Sequence, residues 1–172
     1  MPCEAVIRPL FLDDAPILQR ISAEARERYR SIPALAHVAD TPPVALERFE
    51  AGSGWLAESD GKILGYALSK PVDSLLFLDN ISTRAQFRGM GVGARLLERV
   101  LTETSQDGFD TVAITTFRLP PWNGPWFRRF GFVPIPEAAI GTQLAAIIKS
   151  QGTYLDPDQR EALSRRVSAV GE

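Results

Sequence analysis

One cysteine, Cys3, and one histidine, His37, are all that this chain of 172 residues contains of either type. A lone cysteine excludes an internal disulfide, and one residue of each kind is too few for a Cys/His zinc site or a two-histidine metal helix. No apolar run approaches the ~20 residues of a membrane span. The N-terminus carries neither the basic nor the apolar region of a signal peptide, so the expected address is the cytoplasm, with no membrane partner. An excess of one charge is missing as well: 19 Lys and Arg stand against 21 Asp and Glu, a net charge of -2. Nucleic acid is therefore not an expected partner, because the positive field that drives such binding is lacking. Low-complexity tracts and internal repeats are absent too. What is present is 45% hydrophobic and 23% charged, the balance of a globular chain. At this length roughly 70% of the unfolded surface can be buried, so one domain over 1–172 needs no metal or disulfide to hold it.

Along the chain, Ala5 to Leu10 reads as a short strand. Asp13 is then positioned to cap a helix carrying Ile17, Leu18, Ile21 and Ala25 at helical spacing, with Pro16 in its first turn. The prolines of 31–43 predict an irregular connection, and 44–50 a second short helix. Two apolar runs, 54–58 and 63–69, flank Asp60-Gly61, the dipeptide of a tight hairpin. A third run at 75–83 completes an antiparallel meander. Beyond it, Val92, Leu96, Leu97, Val100 and Leu101 form one face of a helix that Gly108 ends. A strand at 111–117 is expected to return parallel through a right-handed crossover. A short helix at 122–130 and a strand from Gly131 follow. The core then spans 5–135, and 136–172 completes the fold with a helix at 143–149. Residues 160–167 have helical propensity where the sheet calls for a strand, so either is open.

Between the meander and its helix lies Arg88-Gly89-Met90-Gly91-Val92-Gly93-Ala94-Arg95. Glycines at alternate positions let successive N–H groups converge on one anion at the positive end of a helix dipole. The expected guest is a phosphate or pyrophosphate, and the plain alternative is a tight turn. A P-loop would need Gly-Lys-Ser/Thr where Gly93-Ala94-Arg95 stands. A dinucleotide fingerprint belongs in a first βα turn, with its third glycine one residue later.

Taken together, Arg88-x-x-Gly91-x-Gly93 and the downstream Trp126-Phe127-Arg128-Arg129-Phe130-Gly131-Phe132 resemble the two signature segments of the GNAT superfamily of N-acetyltransferases. Thr115-Thr116-Phe117-Arg118 and Pro121-Trp122-Asn123 are similar to a bacterial branch of mostly uncharacterised substrate. The resemblance implies a single mixed α+β domain whose six- or seven-stranded sheet splays between the fourth and fifth strands. It implies acetyl-CoA as cosubstrate, its pyrophosphate on the amides of Gly89, Met90, Gly91, Val92, Gly93 and Ala94, and its pantetheine along Ile81, Ser82 and Thr83. The activity implied is direct acetyl transfer to an amine of a small molecule or peptide, with a homodimer as one possible assembly. A non-catalytic acyl-CoA-binding domain and a nucleotide-binding module are the rivals.

The resemblance also makes Asp79 the candidate general base, with a backbone N–H near Thr83 holding the developing oxyanion. A solvated aspartate is the dull alternative. His37 is intrinsically tuned for base catalysis at neutral pH, against the commoner case of a polar loop residue. Phe127 stands where relatives carry a tyrosine that protonates the leaving thiolate, and phenylalanine has no proton to give. Water, Tyr66 or Tyr154 are the remaining donors, while the Phe127 ring is expected beside the cofactor. Pro120 replaces the pantetheine-binding asparagine, for which Asn123 could substitute or else merely cap its helix. Arg84 and Arg88 suit phosphate oxygens, whereas Arg95 and Arg99 are expected on a solvated helix face. Trp122, Trp126 and Phe130 are expected in the core, and Cys3 as an inert thiol. The acceptor amine carries no signature in the chain.

Overall fold

The computed structural model describes residues 4–168, so Cys3 lies outside the described residues. Seven strands form one sheet in the order β1-β2-β3-β4-β5-β7-β6. They are β1 (Val6–Pro9), β2 (Ser53–Ser59), β3 (Lys62–Val72), β4 (Leu75–Thr83), β5 (Thr111–Phe117), β6 (Val133–Pro134) and β7 (Arg160–Arg166). The helices are α1 (Ala15–Arg26), α2 (Leu46–Ala51), α3 (Val92–Gln106), α4 (Gly124–Arg129) and α5 (Thr142–Gln151). The sheet is mixed and splays between β4 and β5, as expected, with a parallel ladder at Leu76 to Val112 and Phe77 to Ala113.

Two compact units make up the chain. The first runs up to Lys70 and adds Asn80–Val100. In it β1, β2 and β3 pair antiparallel, and Asp60 and Gly61 both take positive φ at the hairpin tip. The left-handed conformation at two successive residues is what an Asp-Gly hairpin turn requires. Ala15, Leu18 and Ile21 of α1 pack with Phe49 of α2 and with Leu56, Tyr66 and Leu68 of the sheet. The cap of α1 is Asp14, one residue after the expected Asp13. Its carboxylate accepts from the Phe11 amide at 2.9 Å and from Arg8, which draws 12–14 into a 3-10 turn and moves the helix start along. The connection at 31–43 is more regular than expected: Pro33–Asp40 is a 3-10 helix that buries Leu35 and Val38.

The second unit comprises Pro71–Asp79 and the chain from Leu101 onward. Its core joins Phe77, Ala113 and Leu144, with Ile147 and Ile148 of α5 packed against them. Residues 160–166 are strand. β7 pairs antiparallel with β5 over seven residue pairs and with β6 on its other side. Sheet hydrogen bonds on both edges outweigh the helical propensity of Arg-Glu-Ala-Leu-Ser-Arg-Arg.

Candidate active site

The first unit holds the glycine turn and the end of β4. Gly89 and Gly91 have φ of +75° and +80°, and a Cβ built on either meets no atom within 4 Å. Both therefore use a conformation that glycine adopts without penalty, and both face open space. α3 begins at Val92, and its first closing bond runs from the Arg95 amide to the Gly91 carbonyl at 3.1 Å. By helix geometry the amides of Gly91, Val92, Gly93 and Ala94 have no carbonyl four residues back. Four donors thus gather at a helix start, where the dipole favours negative charge. Met90 differs from its neighbours in this respect: its amide donates to the Phe87 carbonyl at 3.3 Å and is already engaged. Arg88 is exposed and ends the 3-10 turn Ala85–Phe87. The space left by the two glycines fits a diphosphate, because it is bare of side chains and lies beside unspent donors.

The strand leading into this turn is fixed by β3. The Arg84 amide donates to the Leu64 carbonyl at 2.9 Å. Opposite Ser82 and Thr83 stands Gly65, whose hypothetical Cβ would lie 2.6 Å from the Ser82 carbonyl oxygen and 3.1 Å from the Thr83 Cα. Gly65 was not singled out by sequence, although a glycine inside an apolar strand is a signal of close backbone approach. Ser82 is buried and donates to Asn80 Oδ1 at 2.7 Å, while Ile81 and Thr83 are half-buried. Tyr66, weighed as a proton donor, is wholly buried. Burial pushes its phenol above the ordinary range, which makes it a weaker acid. Tyr154 is exposed, and His37 is exposed on the Pro33–Asp40 helix. Arg95 is exposed as expected, but Arg99 is not a free solvated side chain: its guanidinium sits over the Trp55 ring at 4.9 Å.

The second unit holds the other candidates. Asp79 is half-buried on β4. Asn123 precedes α4 without a side-chain capping bond, although its carbonyl accepts from the Phe127 amide at 3.1 Å. Phe127 is buried, edge-on to Trp126 at 4.9 Å and to Phe132 at 5.4 Å. Trp126 also meets Phe130 at 4.6 Å, so these rings form an aromatic cluster. Among the described residues no three His, Cys, Asp or Glu side chains gather as a metal would need.

The model of the acetyltransferase (GNAT) family matches residues 18–132, which include β4, the glycine turn and α4. The chain belongs to that family. Among curated relatives, this GNAT chain is 31% identical over 81 residues to the probable N-acetyltransferase camello of Xenopus tropicalis, covering 45% of this chain and 37% of that protein. It thus spans little more than a third of that relative's length. Its fold is similar to the crystal structure of the ribosomal-protein-S18-alanine N-acetyltransferase of Escherichia coli. There the TM-score is 0.68 at 17% identity, with 98% of this chain and 97% of the other covered. The PaiA N-acetyltransferase of Thermoplasma acidophilum, solved in complex with coenzyme A, gives a TM-score of 0.69 at 11% identity, covering 95% and 99%. No helix among the described residues is long and apolar enough to cross a membrane.

Proposed function

We propose that this GNAT protein transfers an acetyl group from acetyl-CoA directly to an amine of a small molecule or peptide. The observation that carries the proposal is the open cradle at Gly89 and Gly91, set against the four amide donors that begin α3. The pyrophosphate is assigned to the amides of Gly91, Val92, Gly93 and Ala94, with Gly89 giving room, Met90 contributing its side chain and Arg88 its charge. Pantetheine is assigned to Ile81, Ser82 and Thr83. The family resemblance adds Asn123, by its amide, and Phe127, by apolar contact alone.

Acetyl-CoA, when bound, supplies an activated acetyl thioester. Asp79 takes the proton that the amine loses as its nitrogen bonds to the acetyl carbon and the carbon–sulfur bond breaks. A backbone N–H near Thr83 holds the carbonyl oxygen while charge develops on it. The thiolate takes its proton from water or from the exposed Tyr154, since Phe127 has none and the Tyr66 phenol is sealed in the core. Catalysis on this account is chiefly positioning.

The buried Phe127 favours a second reading, an acyl-CoA-binding domain without turnover. Thiol release from acetyl-CoA across a panel of amines separates the two. Amine-dependent release supports the enzyme, and tight CoA binding without release supports the binder. Binding of ATP in preference to CoA would overturn both.

A further inference from the structure

With its diphosphate at the glycine turn and its pantetheine along Thr83, Ser82 and Ile81, the cosubstrate runs against the direction of β4. Its acetyl end then comes to the Ile81 end of that run, beside Asn80, the sequence neighbour of Asp79. This placement rests on the function proposed above. Asn80 is half-buried, and its side-chain amide is held in one orientation, because Oδ1 accepts from the Ser82 hydroxyl at 2.7 Å. Ser82 is itself buried. The Arg84 amide on the Leu64 carbonyl fixes the antiparallel register here, which sets the wholly buried Tyr66 across from Ser82. The serine is therefore backed by core, and it draws the asparagine carbonyl toward it.

An asparagine side chain offers one acceptor oxygen and two N–H donors. Here the oxygen is engaged by Ser82, while none of the described residues accepts from Nδ2. Donors already fixed in direction need no reorientation when a ligand oxygen arrives. We infer that Asn80 is a specificity-determining residue that donates from Nδ2 to a carbonyl oxygen of the acceptor. The substrate is then a primary amine with a carbonyl on the neighbouring carbon, as in an amino-acid amide or the N-terminus of a peptide. A neutral donor suits a neutral oxygen, since it brings no charge to offset the desolvation of a carboxylate. The spacing agrees: the amine meets the thioester, and its carbonyl meets a side chain one residue along the strand, roughly 3.3 Å away.

The test compares glycinamide with propylamine, which has the same number of heavy atoms less the carbonyl oxygen and keeps none of the amide's polarity. For each protein the ratio of kcat/KM between the two amines is measured with acetyl-CoA saturating, so that any change in cosubstrate binding cancels. Asn80→Leu should lower the wild-type ratio on the order of tenfold, the loss of one hydrogen bond made to the substrate. Asn80→Asp keeps the oxygen that faces Ser82 but puts a second oxygen where the donors were, so it should lower the ratio at least as far. Ser82→Ala releases the amide to turn and should fall between Asn80→Leu and the wild type. A wild type without preference for glycinamide, or a ratio that no variant alters, overturns the inference. An equal loss on both amines does so too, because it would place Nδ2 on the thioester and not on the acceptor.

A second measurement needs no turnover. In ¹⁵N-labelled protein with CoA present, the two Nδ2 proton resonances of Asn80 are identified by their loss in Asn80→Asp. Glycinamide is expected to shift them and propylamine to leave them in place. No shift with glycinamide, or the same shift with both amines, overturns the inference. Shifts specific to glycinamide in a protein that releases no thiol would refute the proposed transfer reaction and leave the recognition by Asn80 standing.

Discussion

Gly65 on β3 faces the Ser82 carbonyl on β4 so closely that a methyl group would sit 2.6 Å from the oxygen. The neighbouring Thr83 Cα and Cγ2 would be 3.1 and 3.0 Å away, so relief requires movement of backbone. Gly65→Ala is expected to push β4 outward at the residues assigned to pantetheine. Overpacking of this kind costs about 1–3 kcal/mol. The denaturation midpoint should fall and CoA should bind more weakly in the population that remains folded. An unchanged midpoint would show that the strands part without cost.

Asp73 and Gln143 are 70 residues apart and cap one another. The Asp73 amide donates to Gln143 Oε1 at 2.7 Å, and the Asp73 carboxylate accepts from the amides of Gln143 and Leu144, each at 3.0 Å. Two of the orphan donors that begin α5 are thereby satisfied from the β3–β4 turn. Asp73→Ala should lose about 1 kcal/mol, the cost of an N-cap, with a further strain term because residue 73 has φ of +53°. Asp73→Asn keeps an acceptor and tolerates that conformation, so it should lose less. Chemical denaturation of the three proteins ranks them, and equal midpoints would remove the cap from the account.

The Arg8–Asp14 pair makes stability depend on pH with a definite sign. Hydrogen bonding to Arg8, strengthened by the Phe11 amide and opposed by burial, holds the Asp14 carboxyl below the ordinary carboxylate range. A carboxyl whose folded value is lowered adds stability that is fully present above its unfolded value. That stability is lost as pH falls through the folded value. Asp14→Asn should therefore be less stable than wild type near neutrality, by about 1 kcal/mol for a pair partly open to solvent. The gap should close in acid, below the carboxylate range. A gap that persists there would mean that Asp14 acts through packing.

Asp79→Asn tests the proposed base. Removing the proton acceptor should lower kcat by about 10²–10⁴-fold and leave CoA affinity nearly unchanged, because the carboxylate acts on the amine and not on the cosubstrate. Pre-steady-state thiol release and a separate CoA titration give the two numbers. An unaltered rate removes Asp79 from the mechanism, and a matching fall in CoA affinity reassigns it to binding.

Local signals made much of this fold legible in the sequence. The α3 stripe of Val92, Leu96, Leu97 and Val100 is buried because helical spacing alone puts those residues on one face. Asp60-Gly61 demanded a hairpin for the same kind of reason. Features set by distant partners were not legible. The β7 segment stays open between helix and strand until β5 and β6 flank it, and Asp73 is an ordinary turn residue until Gln143 arrives. In the proposed site, the glycine turn is legible, since the chemistry assigned to it resides in consecutive backbone. Gly65 is not, because its significance comes from what β3 lies against. Arg99 reads as a solvated residue because spacing along one helix cannot reveal Trp55 on a strand.

The glycine turn admits the most direct test. At Gly91 the left-handed φ of +80° penalises any side chain by roughly 1–2 kcal/mol, yet the space in front of it is empty. Gly91→Ala separates these two effects: it carries the strain and adds one methyl group to the cradle. Gly91→Glu adds a flexible side chain and a negative charge where the amides of Val92, Gly93 and Ala94 await an anion. Its carboxylate can fold back onto those donors and compete with a diphosphate, or repel it. The strain common to both variants should lower their thermal midpoints to a similar extent. CoA affinity should fall modestly in Gly91→Ala and below detection in Gly91→Glu, measured by calorimetric titration of folded protein. If Gly91→Glu bound CoA as tightly as Gly91→Ala, the cradle would not be where the diphosphate lies, and the assignment of residues 89–94 would have to be abandoned.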